Sequence, residues 1–364
     1  MREDWVDIAK AIAIMAIVIW HIHVCWIETP LLPLHILVAG SWPVPVFFMM
    51  AGFFLINNKL QHPKSFITRK AKTLYLPTLW LYIGAVLLHN FFFIIGFYDT
   101  NINYDGKYLH IYSVHEILKN IVLSLFMAGQ ELILSPMWFV CVLFVALGIM
   151  SVISWVLSII ISSNRIYLWM QSIIFFLLVT IWTVINHFHP IIIPRFSKLL
   201  PAIWLIFVGM AVRNVFNIQF NNPIIAIIAV FIVYVTTILQ PLTNDLLPTN
   251  TVITIAACYA LCYLSKKINK QIKYLNNILA FIGRHSFYIM ALHCFGFKFF
   301  TLFISTLGIR NNLALLTPVV GNDIFLFTGY LLSGVFIPIL LIRCFRITKA
   351  FLKKATLKNN RWSH

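Results

Sequence analysis

Residues Ile8 to Ile27 form an apolar run of bilayer-spanning length, interrupted by one lysine, Lys10, and two histidines, His21 and His23. A helix needs about 20 apolar residues to cross a bilayer, because its backbone must satisfy its own polar groups there. A charge at membrane depth costs about 2.5–3.5 kcal/mol even on insertion scales, so an ionisable residue retained in such a run points to function. At about 100° per residue, Lys10 and His21 project within about 20° of each other, and Asp7 falls on the same stripe. The stripe Asp7–Lys10–Ile14–Ile17–His21 reads as one wall of a polar site inside a helical membrane protein. His23 projects from the opposite side.

The composition agrees. Of 364 residues, 61% are hydrophobic and 10% charged, which excludes a water-soluble globular domain. The net charge of +17 would suggest nucleic acid in a soluble protein. Here it reads as lysine and arginine marking cytoplasmic loops, with no nucleic acid implied. Cys25, Cys141, Cys258, Cys262, Cys294 and Cys344 lie in or beside hydrophobic runs, without the spacing of a metal knuckle. They read as small packing residues, and no metal is expected. The first run lacks a small-x-small cleavage site and reads as a retained span.

Ten apolar runs follow one another at about 6–27, 36–57, 73–96, 136–161, 167–187, 199–214, 223–240, 250–265, 286–306 and 323–347. Threading them alternately puts twenty basic residues on one side and five on the other. That asymmetry predicts an all-α bundle of ten transmembrane helices with both termini cytoplasmic. Residues 1–347 then form one membrane domain and 348–364 a basic cytoplasmic tail. The external segment 97–135 contains Val114–Ala128, whose spacing predicts an amphipathic helix lying on the outer face.

Several stations could carry chemistry. Asp7 and Lys10 lie near the cytoplasmic face, and His21 sits about 16 Å further along the helix. A neutral imidazole can take a proton from a hydroxyl nucleophile, although an interfacial ion pair and a histidine satisfied within the bundle would look the same in sequence. Gly283-Arg284-His285-Ser286 opens the ninth run, and His293 follows seven residues after Ser286 on nearly one face. Ser286 also suits a helix cap, and His293 a backbone carbonyl. Arg69, Lys70 and Lys72 stand before Tyr75-Leu76-Pro77, where basic side chains suit a phosphorylated nucleotide as well as they suit topology. Ser135-Pro136-Met137-Trp138 suits a helix opening, with Trp138 in an interfacial belt. Phe47-Phe48-Met49-Met50-Ala51-Gly52 ends in a small pair that permits close helix packing.

In this order the stations resemble the acyltransferase-3 family of integral membrane acyltransferases. Trp5-x-Asp7-Ile8-Ala9-Lys10 with His21 is similar to the family's first-helix signature, in which the basic residue and the histidine are functional. Phe47–Gly52 resembles its FFxxSG-like segment, Arg69 with Pro77 its basic loop leading to a proline, and Trp138-Phe139 its outer tryptophan. Gly283-x-x-Ser286 with His293 resembles its late helix. Lys10 stands where many members carry arginine, Ala11 where glycine is common and Ala51 where serine is usual.

The resemblance implies transfer of an acyl group, most commonly acetyl, from acetyl-CoA to a hydroxyl of a cell-surface polysaccharide or lipid-linked glycan, at the bacterial plasma membrane. It implies His21 as general base, with Asp7, Lys10 and His293 in the catalytic site. It further implies Arg69, Lys70 and Lys72 toward the CoA phosphates, with Ser286 and Trp138 toward the acceptor. Ten spans and a buried polar stripe equally suit a transporter or flippase, or a non-catalytic partner in polysaccharide export. Transporters often show paired repeats, which the chain lacks.

Overall fold

Offering water so little polar surface, the chain satisfies its backbone almost entirely within helices. The structure, a computed structural model, describes residues 3–24, 42–98, 103–104, 107–128, 131–161, 164–188, 198–214, 216–239, 247–309, 318–321 and 323–359. The helices are α1 Asp4–Trp20, α2 Pro43–Phe53, α3 Asn57–Leu60, α4 Pro63–Lys70, a π-helical turn Ala71–Tyr75, α5 Leu76–Ile94, α6 Val114–Leu125 and a 3₁₀ helix Leu132–Met137. Then come α7 Trp138–Ile160, α8 Asn164–Phe188, α9 Leu199–Asn214, α10 Pro223–Leu239, α11 Leu247–Gln271, α12 Lys273–Arg284, α13 Ser286–Thr306 and α14 Ile324–Asn359. Two small strand pairs complete it: β1 His23–Val24 runs parallel to β4 Val319–Gly321, and β2 Asn103–Tyr104 antiparallel to β3 Lys107–Tyr108.

Each of the ten apolar runs contains a helix. Among the described residues, five helical segments are long and apolar enough to cross a membrane: Pro63–Ile94, Leu132–Ile160, Thr251–Gln271, Ser286–Thr306 and Ile324–Phe351. The chain is thus an all-α, multi-pass membrane protein. The last helix continues to Asn359, so the expected division between domain and tail at residue 347 falls within one helix.

The first helix occupies the middle of the molecule. α2, α11, α12, α13 and α14 all pack on it, and Ile8, Ala11, Ile14 and Val18 are fully enclosed. Close approach of backbones makes this possible. A Cβ at Gly52 would lie 1.8 Å from the Ile206 carbonyl oxygen, and one at Gly209 would lie 1.9 Å from that of Met49. The helices α2 and α9 therefore cross in backbone contact, as the small residue closing the Phe47–Gly52 run suggested.

Three local expectations are revised. The basic run at residues 66–72 is not a loop but lies on α4 and the π-helical turn, continuous with α5. Pro77 accounts for that wide turn, since a proline ring crowds the carbonyl four residues back and removes a donor. The Leu76 N–H reaches Ala71 instead. The helix α1 ends at Trp20, so helical phase does not extend to His23, which lies in β1. The amphipathic segment forms α6, with a capping box between Ser113 and Glu116. Rather than lying flat, α6 runs along α5: Asn90 bonds the Tyr112 backbone at one end, and the Tyr75 hydroxyl donates to the Leu125 carbonyl at 2.7 Å at the other. Its apolar residues Val114, Leu118 and Val122 face outward.

Candidate active site

The polar stripe predicted along α1 faces inward for its whole length. Asp7, Ile14 and Ile17 are buried, while Lys10 and His21 are partly so. Asp7 lies in the first turn of α1, where the helix dipole favours a carboxylate, and its Oδ1 is 3.7 Å from Lys10 Nζ. The helix α12 crosses α1 here: a Cβ on Gly283 would lie 1.7 Å from the Asp7 carbonyl oxygen, so only glycine fits. Arg284 next to it reaches Asp4 at 3.9 Å. Gly283 thus anchors the late motif to the base of the first helix.

At the other end of the stripe, His21 caps α1 and meets His293 of α13, with ring centroids 4.8 Å apart. The Nδ1 of His21 lies 2.8 Å from the Ile17 carbonyl, and that of His293 lies 3.0 and 3.1 Å from the carbonyls of Ile289 and Met290. A carbonyl only accepts, so in both rings Nδ1 carries the hydrogen and Nε2 keeps its lone pair. The Nε2 of His293 is buried without a hydrogen-bond partner among the described residues. Two imidazoles held as Nε2 bases, side by side in an apolar interior, suit deprotonation of a hydroxyl. Val18, Phe297 and Gly334 close the junction of α1, α13 and α14 beside them; a Cβ on Gly334 would lie 2.6 Å from the Phe297 ring.

A basic cleft of about 900 Å³ opens between α4 and α7, lined by His62, Lys64, Ser65, Arg69, Lys72 and Trp155 among others. Arg69, His62 and Ser65 also line a second cleft with Lys59. Arg69 and Lys72 therefore share a concave surface with phosphate-binding chemistry. Lys70 turns away from it. Its ammonium lies over the Phe66 ring at 5.6 Å and within electrostatic reach of Arg69 and Lys10. Lys70 thereby joins the basic helix to the polar stripe.

Trp138 begins α7, half-buried, beside Phe139, which packs on Phe48 at 4.8 Å and Phe47 at 5.7 Å. The 3₁₀ helix before it lies on α13. Ser286 is brought neither to the histidine pair nor to a capping bond; it opens α13 after His285, whose Nδ1 meets the Phe281 carbonyl at 2.9 Å. His23 has a described backbone only, in β1. Among the described residues no three His, Cys, Asp or Glu side chains converge as a metal site requires.

Three buried ionisable residues escaped the sequence reading of the site: His89 on α5, Glu131 before the 3₁₀ helix and Lys298 on α13, at 0%, 2% and 1% exposure. The criterion that singled out Lys10 and His21, an ionisable group within an apolar run, applies equally to His89 and Lys298.

No curated protein and no solved structure shows significant similarity to the chain. The family model described as an acyltransferase domain matches residues 3–343, taking in both the histidine pair and the basic cleft. That match favours an enzyme over a transporter or an export partner. The chain belongs to the acyltransferase-3 family and is a membrane acyltransferase.

Proposed function

We propose that this acyltransferase moves an acetyl group from acetyl-CoA to a hydroxyl of a cell-envelope polysaccharide or lipid-linked glycan, at a bacterial plasma membrane. The observation that carries the reading is the His21–His293 pair, whose rings stand 4.8 Å apart with both Nδ1 atoms engaged by backbone carbonyls. Arg69 and Lys72 hold the CoA phosphates in the basic cleft, and Lys70 and Lys10 continue the positive path toward the stripe. His21 lies eleven residues beyond Lys10, about 16 Å along the helix, so the thioester has to reach inward from the cleft.

In the reaction, His21 Nε2 removes the proton of the acceptor hydroxyl as its oxygen attacks the thioester carbonyl carbon. The new C–O bond forms, the C–S bond breaks, and the proton passes to the departing thiolate, so the histidine returns neutral. His293 holds the neighbouring position and shapes the pocket. Trp138 offers a ring face to a sugar, and Ser286 opens α13, the helix that carries His293. The twenty-to-five basic asymmetry supports ten crossings with both termini in the cytoplasm. The test is transfer of label from acetyl-CoA to an envelope glycan by the purified protein. Free CoA released in step with labelled ester supports the reading. Absence of turnover with acetyl-CoA, alongside activity with another acyl donor, would replace the donor.

A further inference from the structure

The end of α5 carries a second acid–base constellation that the proposed chemistry leaves unused. His89 and Glu131, forty-two positions apart in sequence, are both buried, with Nδ1 of the histidine 3.1 Å from Glu131 Oε2. His89 Nε2 lies 2.9 Å from the His110 carbonyl oxygen, which only accepts, so Nε2 carries a hydrogen. Nδ1 and the carboxylate therefore need one proton between them. Either an imidazolium donates to a carboxylate or a carboxylic acid donates to a neutral ring; with that proton gone, a lone pair would face an anion.

Two tyrosines flank the imidazole. The Tyr112 ring stacks on His89 at 3.5 Å and 4°, presenting a π face to the imidazole. Burial, followed by the Glu131 charge, holds the Tyr112 phenol protonated well above its ordinary range. The other titratable groups facing the pair are Tyr98, whose ring is 5.2 Å from His89, and Cys294 of α13, which Tyr98 senses electrostatically. His110 pairs at 2.8 Å with Glu116, whose carboxyl is held down at about 2 by hydrogen bonds from His110 and then Ser113.

The pair is joined to the histidine site by packing. His89 lies against Tyr98 and Phe93, while Phe92 and Phe97 press on Phe295 at 5.5 and 4.7 Å. Phe295 is two residues from His293. Glu131 immediately precedes the 3₁₀ helix that lies on α13. Two separate segments are thus tied together by one shared proton, and both bear on α13, the Phe92–Tyr98 turn at Phe295 beside His293.

We infer that His89 and Glu131 are positioning residues for acyl transfer: their shared proton locks the 3₁₀ helix and the Phe92–Tyr98 turn onto α13 and so holds His293 beside His21. The inference rests on the reading of the histidine pair as the catalytic site. A displacement of about 1 Å at a reacting group can cost about 10²-fold in rate, which sets the effect to look for.

The experiment compares wild type, Glu131→Ala, His89→Ala and Glu131→Gln. A glutamine amide donates to neutral Nδ1 without needing the shared proton, so Glu131→Gln should rescue the lock. Two readouts are followed: backbone exchange of Leu132–Met137, corrected for intrinsic rates, and kcat with KM for acetyl-CoA. Both alanine variants should exchange fast and lose about 10²-fold in kcat with KM unchanged. Glu131→Gln should keep both near wild type. Exchange indifferent to Glu131→Ala, or a Glu131→Gln variant that exchanges as fast as Glu131→Ala, overturns the lock. Exchange that opens while kcat holds overturns the positioning role. A wild-type protein that protects these amides as expected but turns over only another acyl donor overturns the acetyl-CoA reading alone.

Discussion

Gly283 lies so close to Asp7 that a single methyl group on it would lie 1.7 Å from the Asp7 carbonyl oxygen. This contact joins two segments more than 270 residues apart and sets the base of the proposed site, since Asp7 in turn holds Lys10. A methyl group there has a rigid helix backbone on its other side, and α12 must move off α1 to admit it.

Gly283→Ala is therefore expected to cost about 1–3 kcal/mol, as overpacking does, and to lower activity with it. Gly84 on α5 is the control, because nothing lies within 4 Å of the position a Cβ would take. Gly84→Ala should be neutral or gain up to about 1 kcal/mol from helix propensity. Thermal unfolding in the same detergent decides it: equal midpoints for the two variants would show that α1 and α12 are not held by this contact.

The two basic side chains of the cleft and the one that leaves it should behave differently. Arg69→Ala and Lys72→Ala should weaken CoA binding, and added salt should weaken wild-type binding as it screens phosphate contacts. Lys70→Ala should leave the phosphate contacts in place and instead alter turnover, because Lys70 sits toward Lys10. Calorimetric titration of CoA into each variant measures this. A dissociation constant unmoved by Arg69→Ala would return the cleft to a topological role.

The proposed orientation rests on charge alone and is open to direct labelling. Cysteines placed at Lys64 on α4 and Ile111 before α6, both exposed, should react with an impermeant reagent from opposite sides of the membrane. Reaction from one side only would change the number of crossings between them.

Much of the site was legible because it is periodic. The α1 stripe needed only helical phase, and all five of its residues face inward or partly inward. The amphipathic stretch beginning at Val114 became a helix for the same reason. Helical phase alone does not place His23, since the phase holds only while the helix does and α1 stops at Trp20. The segment between the eighth and ninth apolar runs folds as α12, because its apolar residues Leu279, Ala280 and Ile282 find a partner in α1 that no local pattern reveals. The Glu131–His89 bond was out of reach for a plainer reason. Forty-two positions separate its partners, and only the course of the chain between them brings carboxylate and imidazole together.

The histidine pair carries the sharpest prediction. His21 and His293 share a hydrogen-bonding pattern, yet His21 is partly exposed at the end of α1 while His293 is fully buried in α13. The base that meets an incoming hydroxyl has to be reached by it, which supports the proposed roles of His21 in proton transfer and His293 in shaping the pocket. A general base contributes about 10²–10⁴-fold, so His21→Ala should lose at least that while still inserting in the membrane and binding CoA. His293→Ala should lose less rate and raise KM for the acceptor, since it reshapes the pocket and leaves the base in place. Single-turnover transfer from labelled acetyl-CoA measures both effects. Transfer that survives in His21→Ala but is abolished in His293→Ala would exchange the two roles.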